Sequence, residues 1–130
     1  IPQYKVLGSG ASGIGIRVKN GQRVIEYIFR HHQVTEAVLG NVLLPPDQSI
    51  VLKIIHSPPG NRTKKQKLYA TEFRREVTIL QALAKSRPVR IADKTYDIRE
   101  YIPRLFASGY VPALHVWFIA MSHSSKNKNT

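Results

Sequence analysis

Cysteine is absent from this chain of 130 residues, and tryptophan and methionine each occur only once. Without cysteine, neither a disulfide framework nor a thiolate metal site can form. Long apolar runs and a basic leader segment are also missing, because the stretch from Val38 to Leu44 is far shorter than a membrane span. The sequence therefore predicts no membrane partner and one small domain, with enough apolar residues, 42%, for a modest core.

Acidic residues are scarce as well, since 8 Asp and Glu stand against 20 Lys and Arg, which gives a net charge of +12. Such a charge attracts phosphate-rich or acidic partners in a salt-dependent way, so nucleic acid is one candidate partner of the basic surface. The simpler interpretation is a basic surface that is solvated or that faces an acidic partner domain.

A glycine cluster follows the first apolar run, and residues of alternating polarity follow the cluster. Gly8, Gly10 and Gly13 form the pattern G-x-G-x-x-G, whose backbone can approach phosphates closely because no side chain intervenes. A dinucleotide-binding fold would need a helix after Gly13, and a P-loop would need Lys and then Ser or Thr where Ile14 and Gly15 stand. The pattern predicts a strand-turn-strand hairpin, with or without a bound ligand.

The segment from about residue 20 to 48 has the least regular pattern of the chain. We expect a turn at Asn20-Gly21, a mixed strand pattern after it, and then a helix that Thr35 caps and that runs to Leu39. His31 and His32 are neighbours that would point apart on a strand, so no metal site is predicted there.

The second half of the chain is more regular. Residues 50–55 form a β-branched run that contains Lys53, and 57–67 has the composition of a solvated loop. An amphipathic helix is predicted from about Leu68 to near Ser86, because Pro88 cannot continue it. Two strands are predicted at 102–108 and 114–121, and the polar tail is predicted to be disordered.

Taken in this order, the glycine loop, the strand Ile50-Val51-Leu52-Lys53 and the helix segment Arg75-Glu76-Val77-Thr78-Ile79-Leu80 resemble the N-terminal lobe of a eukaryotic-type protein kinase. The resemblance implies an α+β fold, a five-stranded antiparallel sheet with one main helix. The connection between its second and third strands would be enlarged. The lobe would comprise residues 1–123 and the tail residues 124–130.

The resemblance also implies a site for ATP. Lys53 would hold the α and β phosphates, and Glu76 would pair with Lys53, with Glu72 as the fallback. The remaining nucleotide contacts would come from the glycine loop, from the roof of the adenine pocket, from Met121 as gatekeeper and from the hinge. These residues are Leu7, Gly8, Ser9, Gly10, Ala11, Ser12, Gly13, Val51, Met121, Ser122 and His123.

Besides the enlarged connection, two further departures limit what the resemblance implies. Gly15 stands where the family has valine, and Val51 stands where it has alanine, and both positions line the roof over adenine. The catalytic motif H-R-D-x-x-x-x-N and the metal-binding motif D-F-G are absent, so this chain alone should be inactive. Mg²⁺ would bind only together with a C-terminal lobe, and serine/threonine specificity is the commoner default.

Three functions therefore compete. The first is the ATP-binding half of a protein kinase, whose partner is the missing C-terminal lobe, and this resemblance favours an intracellular location. The second is a stand-alone, non-catalytic lobe that binds another protein. The third is an RNA-associated protein whose basic loop contacts phosphates through Arg62, Lys64, Lys65 and Lys67.

Overall fold

The computed structural model describes residues 4–10, 13–40, 44, 47–56 and 64–122. The strands of the main sheet are β1 (Tyr4–Gly10), β2 (Gly13–Val18), β3 (Thr35–Leu39), β4 (Ile50–His56), β7 (Leu105–Val111) and β8 (Val116–Ser122). The helices are α1 (Gly21–His31) and α2 (Lys64–Ala84). A small hairpin of β5 (Val89–Ile91) and β6 (Lys94–Tyr96) precedes a 3₁₀ turn, Ile98–Glu100.

The main sheet is antiparallel, with the strand order β1-β2-β4-β8-β7-β3. The predicted α+β fold is confirmed, because the five predicted strands lie side by side in the order β1-β2-β4-β8-β7 and α2 is the main helix. The enlarged connection between the second and third predicted strands is present too. It adds α1 and a sixth strand, β3, which pairs with β7 at the edge of the sheet.

The two faces of the sheet bury two separate cores. Residues directly opposite each other on antiparallel strands point to the same face, so the pairs of Lys53 with Gly15 and with Ile119 define one face. Helix α2 covers this face through the buried residues Phe73, Val77 and Leu80. Helix α1 contributes to the core of the opposite face, which is built on Ile50, Leu52, Phe118 and their neighbours.

Helix α1 corrects the prediction for the start of the enlarged connection, where we expected a turn and a strand. Asn20 does adopt a left-handed conformation, with φ of 57°, but its carbonyl accepts bonds from the amides of Arg23 and Val24 and so opens a helix. Val24, Ile25, Ile28 and Phe29 recur at helical spacing and pack against the core built on Ile50, Leu52 and Phe118. Burial of this stripe decides the conformation, because an exposed strand would leave it in water.

Strand β3 corrects the second half of the same prediction, where Thr35 was expected to cap a helix. Instead, residues 35–39 pair with β7, with Thr35 opposite Tyr110 and Leu39 opposite Ala107. The free edge of β7 offers unpaired N–H and C=O groups, and β3 satisfies them. A long-range partner of this kind leaves no periodic signal in the short segment itself.

Other differences are smaller. Helix α2 begins at Lys64, earlier than predicted, so residues 64–67 are helical rather than part of a loop. The hairpin of β5 and β6 was not predicted, because Ala92 and Asp93 form its left-handed turn without the Asn-Gly or Asp-Gly signal that such turns usually carry. The predictions for the loop at 57–63 and for the tail at 124–130 lie outside the described residues.

Candidate functional site

The candidate site is centred on Lys53, the only charged residue within the β-branched run of β4 before His56. Its Nζ donates a hydrogen bond to Oε2 of Glu76 on α2, at 2.8 Å. The two side chains are 31% and 35% exposed, so both are partly withdrawn from water. A cation in this position is costly unless an opposite charge lies near it, and Glu76 supplies that charge.

The packing of α2 explains why Glu76 rather than Glu72 reaches Lys53. Phe73, Val77 and Leu80 are buried against the sheet, and Glu76 directly precedes Val77 on the margin of this buried stripe. Glu72 is exposed on the helix. The predicted pairing of Lys53 with Glu76 is therefore present in the structure, and the roles of both residues in binding phosphate stay predictions.

The glycine hairpin lies beside Lys53 on the same face of the sheet. Gly8 pairs with Gly15, and Gly15 in turn pairs with Lys53. A Cβ atom added at Gly8 or Gly15 would have no atom of the described residues within 4 Å, so these two residues leave open space next to the lysine. The arrangement gives a flat ligand direct access to the strand backbone beside a fixed cation.

Gly13 has a different role from Gly8 and Gly15. Its φ is +135°, and a Cβ there would overlap the carbonyl oxygen of Ile54. Only glycine fits this position without displacing the neighbouring strand. Of the other predicted loop residues, Leu7, Ser9 and Gly10 lie in strand β1. Ala11 and Ser12 lie outside the described residues.

The two residues that differ from the family pattern in the predicted roof, Gly15 and Val51, occupy diagonal positions on this face. Val51 pairs with Met121, the predicted gatekeeper, and packs against the core beneath α2, in which Met121 is buried. The space at Gly15 is open. The face beside Lys53 therefore has an apolar part at Val51 and an open part at Gly15.

The hinge prediction concerned backbone groups at the end of β8. The amide of Ser122 donates to the carbonyl oxygen of Arg104, and its Oγ accepts a bond from the amide of Arg104, each at 2.8 Å. Both groups are therefore engaged with the segment that leads into β7. His123, the other predicted hinge residue, lies outside the described residues.

The residues present suit the phosphates of a nucleotide. Lys53 offers a cation held by a carboxylate, and Gly8 and Gly15 offer backbone that carries no side chain of its own. Within the described ranges, no group of three or more His, Asp or Glu side chains is placed to hold a metal ion.

A cavity of about 370 Å³ lies elsewhere, near the C-terminal end of α2, where Leu39, Ala84 and Arg104 help to line it. None of the predicted site residues lines this cavity. We place the candidate site at Lys53 rather than in the cavity because the chemistry, a paired cation beside bare backbone, is concentrated there.

One contact of this face was not predicted at all. Arg74 of α2 forms two hydrogen bonds with the carboxylate of Glu36 in β3. The sequence carries no signal for it, because the two residues lie far apart in the chain and Glu36 was assigned to a helix.

Comparisons with known proteins identify no relative. No protein-family model matches the chain, and no curated protein and no solved structure is significantly similar to it. Neither helix of the described part is long and apolar enough to cross a membrane.

Proposed function

We propose that this chain is an ATP-binding lobe of the protein-kinase type. The observation that carries the proposal is the ion pair of 2.8 Å between Lys53 on a central strand and Glu76 on the packed helix. It lies beside a glycine hairpin, on the same face of the sheet and in the strand order β1-β2-β4-β8-β7. A kinase lobe needs this combination, a lysine for the phosphates and a glutamate that orients the lysine.

In this proposal, Lys53 neutralises charge on the α and β phosphates while Glu76 holds its ammonium group in place. The glycine backbone at Gly8 and Gly15 lies close to the phosphates, and Val51 and Met121 contact the adenine. Transfer of the γ phosphate to a protein serine or threonine requires a catalytic base and Mg²⁺ ligands of a C-terminal lobe. The sequence contains neither motif, so this chain contributes nucleotide binding.

Thermal unfolding with and without ATP tests the proposal. ATP at 100 times its dissociation constant would stabilise the folded chain by about 2.7 kcal/mol. Lys53→Ala should remove this stabilisation, while Lys94→Ala, which deletes an exposed lysine of the small hairpin, should leave it unchanged. Glu76→Gln should weaken ATP binding several-fold, because Lys53 then loses its fixed orientation, and Glu72→Gln should have no effect.

The outcomes separate the competing functions. No stabilisation of the wild-type chain at millimolar ATP would contradict the proposal, as would equal losses in Lys53→Ala and Lys94→Ala. Equal losses would instead point to unspecific attraction by the net charge of +12. Binding of random RNA that falls steeply with salt and competes with ATP would favour the RNA-associated alternative.

The second candidate, a protein-binding lobe, is favoured by the small hairpin. Val89 and Ile91 share one face of it with Tyr96, because Val89 lies opposite Tyr96 and Ile91 lies two residues along the same strand. The three side chains are 55%, 59% and 47% exposed. An apolar face on a two-stranded hairpin gains stability when a partner covers it.

A photoreactive side chain placed at Ile91 tests this candidate against a matched position. Thr95 belongs to the opposite face of the same hairpin, since it lies opposite Arg90. A discrete crosslinked protein obtained in cells from position 91 and not from position 95 would support the binding face. Equal crosslinking from the two positions would contradict it.

A further inference from the structure

The enlarged connection is tied to α2 by one well-formed contact. Nε of Arg74 donates to Oε1 of Glu36 at 2.7 Å, and Nη2 donates to Oε2 at 3.1 Å. This is the bidentate arrangement in which arginine binds a carboxylate most strongly. Through it, a strand at the edge of the sheet holds a helix that lies on its face.

The backbone of β3 is irregular at the residue that makes this contact. Glu36 has a φ of 52°, and the pairing register with β7 shifts between Thr35 and Val38. A left-handed conformation is unfavourable for glutamate, by roughly 1 kcal/mol or more. The irregularity alters which way the strand directs its side chains, as bulges do, and it coincides with the residue that meets Arg74.

Arg74 is held from a second side by the aromatic core. Its guanidinium carbon lies 5.6 Å from the ring centroid of Trp117 on β8. The Trp117 ring in turn contacts Phe73 of α2 at 4.6 Å and Tyr110 of β7 at 4.5 Å. The hydrogen bond from Arg74 to Glu36 raises the pKa of the guanidinium above its ordinary value, so the group is charged throughout the working range of pH. Two strands, β3 and β8, therefore contact this side chain of the helix directly.

Arg74 precedes Glu76 by two residues on α2, so any shift of the helix at Arg74 also moves the carboxylate that meets Lys53. We propose that the enlarged connection positions α2 through Glu36 and Arg74 and thereby holds Glu76 against Lys53. Glu36 and Arg74 are positioning residues in this scheme. The consequence for nucleotide affinity rests on the proposed function, whereas the consequence for the helix does not.

The size of the effect follows from the exposure of the pair. Its side chains are 57% and 44% exposed, and pairs at the surface contribute only up to about 1 kcal/mol. The overall stability of the chain should therefore change little when the pair is broken. Local opening of α2 should change more clearly, because the pair joins the helix directly to a strand of the sheet.

Hydrogen exchange of the amides from 72 to 80 on α2 tests the proposal without a ligand. Glu36→Gln and Arg74→Lys should each accelerate exchange up to about fivefold, the factor that corresponds to ~1 kcal/mol. Arg74→Lys keeps the positive charge but loses the bidentate hydrogen bonding of the guanidinium. The amides of β4 and β8 should keep their rates. The swapped pair, Glu36→Arg together with Arg74→Glu, should restore much of the protection. Glu72→Gln, which changes an exposed carboxylate on the same helix, should leave the exchange rates unchanged.

Unchanged exchange in both single variants would overturn the proposal. If hydrogen exchange is accelerated in the single variants and the swapped pair does not restore protection, the proposal is overturned too. That result would indicate that each side chain acts through its own packing rather than through the pair. ATP affinity then separates the two proposals. If the wild-type chain binds no ATP, the proposed function fails and the exchange result still decides the positioning role. If it binds ATP, Glu36→Gln should weaken binding several-fold, and unchanged affinity would overturn the link to Glu76.

Discussion

The two helices lie on opposite faces of one sheet and are attached to it in different ways. Helix α1 packs through Val24, Ile25, Ile28 and Phe29, and Phe29 meets Phe118 edge to face at a ring distance of 6.1 Å. Helix α2 packs through apolar residues as well, but ion pairs also connect it to β4 and to β3.

This difference separates a stabilising face from a candidate functional face. Among the described residues, the core that α1 covers is built of apolar side chains, and such burial needs no specific partner for any side chain. The α2 face holds a partly buried lysine, whose charge is a cost to folding that a ligand or a carboxylate must offset. Charge placed where packing alone would favour an apolar residue is typical of a site.

The largest effect on stability is expected when packing is removed from the α1 face. Phe118 is 2% exposed, and Phe118→Ala should lower the free energy of unfolding by about 3–5 kcal/mol, because a large cavity replaces the ring. Urea denaturation measures this change. Leu114→Ala, at a residue that is half exposed, should change stability far less. A small effect at Phe118 would show that the α1 face is not the main source of stability.

Alanine substitutions at two glycines, one on each face of the sheet, allow a finer comparison of the two faces. A Cβ at Gly21, where α1 begins, would overlap the side chain of Ile50, so Gly21→Ala should destabilise the chain by about 1–3 kcal/mol. Gly15→Ala enters open space and should leave stability nearly unchanged. ATP affinity should respond in the opposite order, with the larger change at Gly15. Equal effects of the two substitutions on both properties would remove the distinction between the faces.

The smallest expected effect concerns a charged pair outside both faces. Arg99 binds the carboxylate of Asp97 and lowers its pKa below the ordinary value. A carboxyl group with a lowered pKa stabilises the folded state above its unfolded pKa, about 3.9, and this contribution is lost as the pH falls through the folded value. Asp97→Asn should therefore flatten the dependence of the urea midpoint on pH below about 4. At neutral pH the change should be slight, because the Arg99 side chain is 40% exposed and water screens the pair.

The five predicted strands and α2 could be read from the sequence because each has its own periodic pattern. Lys53 could be singled out for a related reason, since a charge inside a β-branched run is unusual wherever the strand lies. Glu76 followed from the resemblance together with the packing stripe of α2. Helix α1 could have been predicted from the spacing of Val24 with Ile28 and of Ile25 with Phe29, but Asn20-Gly21 suggested a turn.

The sequence by itself determined the local elements that carry their own signal: the glycine hairpin, the β4 run around Lys53, and the amphipathic stripe of α2. Tertiary structure alone decided that residues 35–39 form a strand, because the free edge of β7 satisfies their backbone. It also decided that Arg74 meets Glu36. Contacts of this kind depend on how distant segments are brought together, and the energy of a long-range pair leaves no trace in the residues next to either partner.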